Sequence, residues 1–243
     1  MTIILGFFGF YRSDKFSYNF DIKQSSYKKY IFSPTIINED NDKKCNIIEL
    51  AKKFGNDTKI TLYEYNKNQH IKECNKYCTD KFLPDSHAFQ QGYRIFSFFN
   101  NIRGVSQLIK NDNYAPEDVI ILCRIDNGLT IEDENKVLNL LEDNDVIVTD
   151  MSTNCKWVKD HVFIFKYKHI DIFIKLYDNF GLYIQKYKNN EKDKPKRTIP
   201  ECIFFYHFIK NNLKITKTEL IKIHHKHVCS KYCGWHNKYK TET

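Results

Sequence analysis

The chain has 243 residues, 42% of them hydrophobic and 15% aromatic, and a formal net charge of +8. That is enough apolar material to exclude disorder by composition, and enough length for one large α/β domain or two small ones. No apolar run approaches the ~18 residues of a membrane-spanning helix. The eight cysteines form no dense framework, which favours reduced thiols in a cytosol-like, cytoplasmic compartment.

Thr2 to Phe10, TIILGFFGF, reads as a buried strand. It lacks the basic flank and small-residue cleavage site of a signal peptide. Gly6 and Gly9 are spaced GxxG, with Arg12 just beyond. Glycines there let a ligand approach the backbone and an arginine can meet a phosphate; close strand packing explains the glycines equally well. Tyr30 to Ile37 reads as a short strand broken by Pro34, and Asn38 to Lys44 as a polar loop. Cys45 to Phe54 has helical spacing and Gly55 ends it. Lys59 to Tyr65 alternates like a strand. Asn66 to Lys81 is helical and puts His70, Cys74 and Cys78 on one face, as packing or as a metal site. The longest helical pattern, Asp85 to Lys110, carries Arg94 and Arg103 beside its apolar stripe. Gly92 and Gly104 inside it each cost about 1 kcal/mol relative to Ala, in return for close packing or a break.

Asp118 to Gly128, DVIILCRIDNG, is the stretch around which the chain is organised. Its apolar run suits a strand buried on both faces of a parallel sheet. Arg124, Asp126 and Asn127 then arrive within four residues. In open α/β sheets, ligands bind beyond the carboxyl ends of the strands. The cluster is therefore either a functional site or an Arg–Asp pair that closes a strand. As a site, the carboxylate would bind a divalent cation such as Mg²⁺ or Mn²⁺ through oxygen, shared with substrate phosphates.

Thr130 to Glu142 reads as a helix and Asp145 to Thr149 as a strand ending at Asp150. Met151 to Lys159 is a loop containing Trp157. Asp160 and His161 precede a short strand, Val162 to Phe165, and Tyr167 to Tyr187 is a second long amphipathic helix. Asp160 is placed to serve as a general base or as a cap. Lys188 to Arg197 is a charged, solvated loop rather than a binding patch. Pro200 opens a helix to Asn211, and Leu213 to Thr216 forms a last strand. Strands alternate with helices through residues 1–216, which argues for one α/β domain with a mainly parallel sheet. Residues 217–243 form a basic tail whose HHKHVCSKYCGWH run has ligand types suited to zinc, or supplies one His to the carboxylate site, or is simply solvated.

The order of these parts resembles small GT-A-type glycosyltransferases of the lipopolysaccharide- and capsule-synthesis kind, including those encoded by large DNA viruses. The likeness rests on ILGFFGFYR, QQGYRIFSFFNNIRGVSQLI, DVIILCRIDNG, DVIVTD, KDHVFIFKYKHIDIFIKLYD and IPECIFFYHFIKNNLKI. It implies a Rossmann-like sheet with helices on both faces, a nucleotide-diphosphate sugar donor (a UDP- or GDP-sugar), a glycan or glycoprotein acceptor, and Mn²⁺ or Mg²⁺. By the same resemblance, Asp126 matches the metal- and diphosphate-binding aspartate, Arg124 the arginine before it, and Asp160 the aspartate near the acceptor. Gly6, Gly9 and Arg12 match the donor-binding first loop. Arg94 and Arg103 join the donor set as arginines, whose planar fork suits a diphosphate. A full Asp-x-Asp is absent because Arg124 holds its first position, which gives the guanidinium part of the cation's charge. The rival is a non-enzymatic nucleic-acid-binding protein using the basic surface. The basic residues are diffuse, however, and no nucleic-acid motif is present.

Overall fold

The computed structural model describes residues 1–10, 27–38, 41–77 and 92–224. In chain order the elements are β1 (Ile3–Phe8), β2 (Lys28–Pro34), β3 (Ile36–Asn38), β4 (Asn41–Lys44), α1 (Ile47–Phe54), β5 (Lys59–Tyr63), α2 (Lys67–Tyr77) and α3 (Gly92–Lys110). They continue with β6 (Val119–Arg124), β7 (Gly128–Ile131), α4 (Glu134–Asp143), β8 (Val146–Val148), β9 (Met151–Ser152), β10 (Trp157–Val158) and β11 (Val162–Lys166). Last come α5 (Ile170–Lys188), α6 (Pro200–Lys210), β12 (Ile215–Lys217) and β13 (Ile221–His224). No described helix is long and apolar enough to cross a membrane.

A seven-stranded sheet in the order β12-β8-β11-β6-β1-β2-β5 forms the centre. Every pairing in it is parallel except the two made by β11, which runs against both β6 and β8. The mainly parallel α/β sheet expected from the sequence is thus the observed one, with a single reversed strand. That reversal matters for the site. It brings the start of β11 to the edge where β6 ends, with Val162 opposite Cys123 and the Arg124 N–H donating to the His161 carbonyl at 3.1 Å.

Alternation along the strands divides the core. Ile4, Phe8, Ile120, Leu122, Phe163 and Phe165 face one side, under α3, α5 and α6. Leu5, Phe7, Ile121, Cys123, Ile147 and Ile164 face the other, under α1 and α4. Helices therefore cover both faces, and the strands read as near-continuous apolar runs for that reason. On the first side, Phe165 stacks on Phe173 of α5 with centroids 3.9 Å apart, and Phe163 meets Phe204 of α6 at 4.4 Å. All four are fully buried, and burial of each is worth about 1.5–3 kcal/mol. The reversed strand, and the carboxylate at its head, are held by this packing.

Several local expectations are corrected. Asn41–Lys44 is not loop but pairs with β3. Thr130 and Ile131 belong to β7 rather than to a helix; α4 begins only after Asp133, whose side chain caps the Lys136 N–H at 3.0 Å. The loop around Trp157 contains the β9–β10 hairpin. Beyond residue 216, β13 pairs antiparallel with β7, and Ile221 is buried, so the packed fold runs on to His224.

Candidate functional site

Arg124 is the last residue of β6, and the turn after it folds back at once: the Ile125 N–H donates to the Phe8 carbonyl and the Asn127 N–H to the Arg124 carbonyl. That turn puts Asp126 beside the guanidinium. Arg124 Nε donates to Asp126 Oδ1 at 3.0 Å and Nη2 to Oδ2 at 2.7 Å. Arg124 Nη1 lies 3.8 Å from Asp160 Oδ2, too far for a hydrogen bond, and His161 Nε2 lies 3.5 Å from Asp160 Oδ1. The two carboxylates come from strands that run in opposite directions, and one guanidinium bridges them.

The electrostatics follow from burial and proximity. Desolvation works against the Arg124 charge, but Asp126 and Asp160 outweigh it and hold the guanidinium above its ordinary value. Burial pushes Asp160 up; Arg124 opposes the rise and Asp126 adds to it. Glu201, in the first turn of α6, is pushed up to about 7 by burial and then by the charge of Asp160. Its Oε2 is buried with no hydrogen-bond partner among the described residues, and so are both polar side-chain atoms of Asn127. Orphaned buried polar groups are costly. Asn127 follows Asp126 in the chain, and Glu201 feels the charges of Asp160 and Arg124.

The alternative, a purely structural strand-closing pair, is weakened by energetics. A largely buried ion pair contributes little net stability once desolvation is counted. Nor is the pair sealed, since a quarter of the Arg124 side chain (25%) and a tenth of that of Asp126 (10%) stay exposed. Asp118, by contrast, is structural: it accepts from the N–H groups of Thr2 at 2.5 Å and Ala115 at 2.9 Å, tying the start of β1 to that of β6.

The remaining candidates divide. Gly9 stands at the carboxyl end of β1 with φ +105°, a conformation that favours glycine, and a Cβ there would meet nothing nearer than 4.0 Å. Gly6 lies inside β1, and a Cβ on it would fall 2.6 Å from Leu122 and 3.1 Å from Val105, which is the close strand packing that the sequence allowed as its other reading. Arg94 lies exposed in the first turns of α3, one turn before Phe98, which meets Phe8 at the end of β1. Arg103 is engaged elsewhere. Its guanidinium stacks 4.1 Å over Tyr177, donates to Asn100 at 3.1 Å and reaches Asp178 at 3.4 Å, so it ties α3 to α5. Asp150 follows β8 at the same sheet edge as Asp126, and is half exposed. Arg12, Cys78 and the tail from His225, including Cys229 and Cys233, lie outside the described residues; β13 delivers His224 opposite Gly128, next to Asn127.

Among the described residues no three His, Cys, Asp or Glu side chains gather as a metal-ligand set. Both Asp126 oxygens already accept from Arg124. The described residues by themselves do not fit the Mn²⁺ or Mg²⁺ that the resemblance implies, because a guanidinium lies between the carboxylates.

A cavity of ≈ 410 Å³ adjoins the cluster through Glu201, with Trp157, Lys159, Lys196, Arg197 and Ile199 among its walls. The sequence reading placed Pro200 at the start of α6 but did not place Glu201 in the site. The signal was too general, because the residue's importance depends on its closeness to Asp160.

No protein-family model matches the chain, and no curated protein matches it. Among solved structures, the chain is similar to mouse xyloside xylosyltransferase 1 in its apo form (TM-score 0.41, 9% identity, 89% of this chain and 84% of that one). It is also similar to the galactosyltransferase LgtC in complex with donor and acceptor sugar analogs (TM-score 0.43, 11% identity, 90% and 73%) and to an active-site mutant of LgtC (0.43, 11%, 90% and 72%).

Proposed function

We propose that the protein is a GT-A-type glycosyltransferase that moves a sugar from a UDP- or GDP-sugar to a hydroxyl of a glycan or protein-linked glycan. The observation that carries this reading is the meeting of Arg124, Asp126 and Asp160 at the carboxyl edge of the sheet, brought about by the one reversed strand. Ligands of open α/β sheets bind at that edge.

In this reading the donor diphosphate lies against Arg124 Nη1, with the loop at Gly9 and the exposed Arg94 beside it. Asp126 is a positioning residue: its two hydrogen bonds fix the guanidinium so that its outer N–H groups meet the charge that develops as the sugar–phosphate bond breaks. The acceptor oxygen forms a bond to the anomeric carbon, the nucleoside diphosphate leaves with the electron pair, and the hydroxyl proton passes to a carboxylate. Asp160 takes that proton in an inverting transfer. Burial raises its pKa above the usual carboxylate value, which makes it the stronger proton acceptor.

The test is turnover of UDP- and GDP-sugars, read as donor hydrolysis and as transfer. Asp126→Asn is expected to lower kcat about 10²-fold through a misplaced guanidinium, with part of the rate restored by Asp126→Glu and the melting midpoint kept. Asp160→Asn is expected to bind donor and to lose transfer by roughly 10²–10⁴-fold. Full activity in Asp126→Asn would reject the assignment.

A further inference from the structure

The loop read from sequence as merely solvated is a wall of the cavity. Lys196 and Arg197, at the end of that charged run, line it together with Lys159, which follows the hairpin strand β10. Among the described lining residues the only carboxylate is Glu201, whose pKa burial pushes up to about 7, which weakens its negative charge. Among the described lining residues, three cations therefore face a single carboxylate, and the walls carry a net positive charge. α6 begins at the same place: Pro200 and Glu201 are its first residues, and its N-cap Ile199 offers no side-chain hydrogen bond, so the positive end of an 11-residue helix adds to the field. The apolar part of the described lining is Trp157 and Ile199 with the thiols Cys155 and Cys202. A flat aromatic with charged neighbours is what a sugar ring bearing a negative group needs: a surface for its C–H face and cations for its anion. The volume of ≈ 410 Å³ is in the ligand-pocket range of about 300–1,000 Å³. A second, smaller cavity of ≈ 210 Å³ shares Lys196 and adds Lys156, Lys192 and Lys194, with Asp193 in its wall paired to Lys210.

We infer that this cavity is the acceptor subsite and that the acceptor is an anionic glycan, one whose terminal sugar carries a carboxylate or a phosphate ester. The inference rests on the glycosyltransferase reading for the word acceptor; the anionic-sugar site itself does not depend on it. Glu201 links the two, because it lines the cavity and also feels the charges of Asp160 and Arg124. A sugar seated on Trp157 with its charged group toward Lys159, Lys196 and Arg197 would bring a hydroxyl to the inner, carboxylate end.

The test uses the full chain without donor. It carries two tryptophans, so fluorescence titration reports on Trp157 once a Trp157→Phe control has identified its signal, and calorimetry checks the affinities. The probes are glucuronate and glucose 6-phosphate as the two sources of charge, glucose as the neutral match, and inorganic phosphate as the anion without a sugar. One or both charged sugars are expected to bind at least tenfold tighter than glucose and than inorganic phosphate; which of them wins identifies the group. The double variant Lys196→Ala/Arg197→Ala is expected to lose at least tenfold in that affinity, while Lys72→Ala, a charge removed from the exposed face of α2, is expected to lose none. Equal binding of charged and neutral sugars, equal binding of inorganic phosphate, or no loss in the double variant would each overturn the inference. Loss of donor turnover alone would strike the earlier reading and leave this one standing.

Discussion

At the scale of single residues, Arg124 and His207 show two uses of burial. Around Arg124 burial is incomplete and the partners are charged, so the guanidinium stays ionised, with N–H groups to spare. His207 is fully buried: Tyr183 Oη donates to its Nδ1 at 2.6 Å, and its Nε2–H donates to the Ile172 carbonyl at 2.8 Å. Desolvation lowers its pKa to about 4, with only the Ile172 carbonyl opposing. The sign follows from linkage. The unfolded chain takes up a proton near pH 6.5 and the folded one resists until about pH 4, so stability falls as pH drops through that window and levels off below it. Between pH 7 and pH 5 the loss from this residue is about 2 kcal/mol. Urea melts at the two pH values are expected to show that loss in the parent chain and a correspondingly flatter response in His207→Gln. Identical pH dependence in both would contradict the neutral, doubly bonded ring.

At the scale of elements, α3 is positioned by a contact the side chains leave no slack in. A Cβ on Gly104 would fall 2.3–2.5 Å from the Phe32 ring of β2, itself stacked on Tyr63 at 4.9 Å. Gly104→Ala improves helix propensity by about 1 kcal/mol, but overpacking costs roughly 1–3 kcal/mol. With an anchored ring as the obstacle the cost is expected to win, and the denaturation midpoint to fall; a raised midpoint would show that α3 can lift off the sheet. This glycine also illustrates what a sequence discloses. The interior position was legible and close packing was one of two readings, but the partner was not, because Phe32 is distant in the chain. Val119 to Arg124 was legible because a strand covered on both faces must be apolar throughout. The direction of β11 was not, since VFIFK reads the same whichever way it runs. The two-residue strands β9 and β10 and the pairing of β7 with β13 depend on long-range contacts that no local pattern encodes. Gly6 stayed between two readings for a related reason: its contacts with Leu122 across the sheet and Val105 on α3 are distant in the chain.

At the scale of the whole molecule, the charge of +8 is not spread evenly in its consequences. Much of the described lysine charge is spent in exposed pairs, such as Lys110 with Asp171 and Lys166 with Glu117, which contribute little to stability. Three further cations, Lys159, Lys196 and Arg197, line the cavity at the start of α6, one carboxylate away from the Arg124 cluster. The reversed strand, the turn after β6 and the opening of α6 converge on this edge. The measurement that bears on it most directly is calorimetric titration of UDP- and GDP-sugars into the parent chain and into Arg124→Gln. Saturable binding of a nucleotide sugar to the parent, weakened at least ~10-fold in the variant as a lost charge-assisted phosphate contact requires, is the expected result. No binding to the parent, or equal affinity in both, would contradict a donor site at the end of β6.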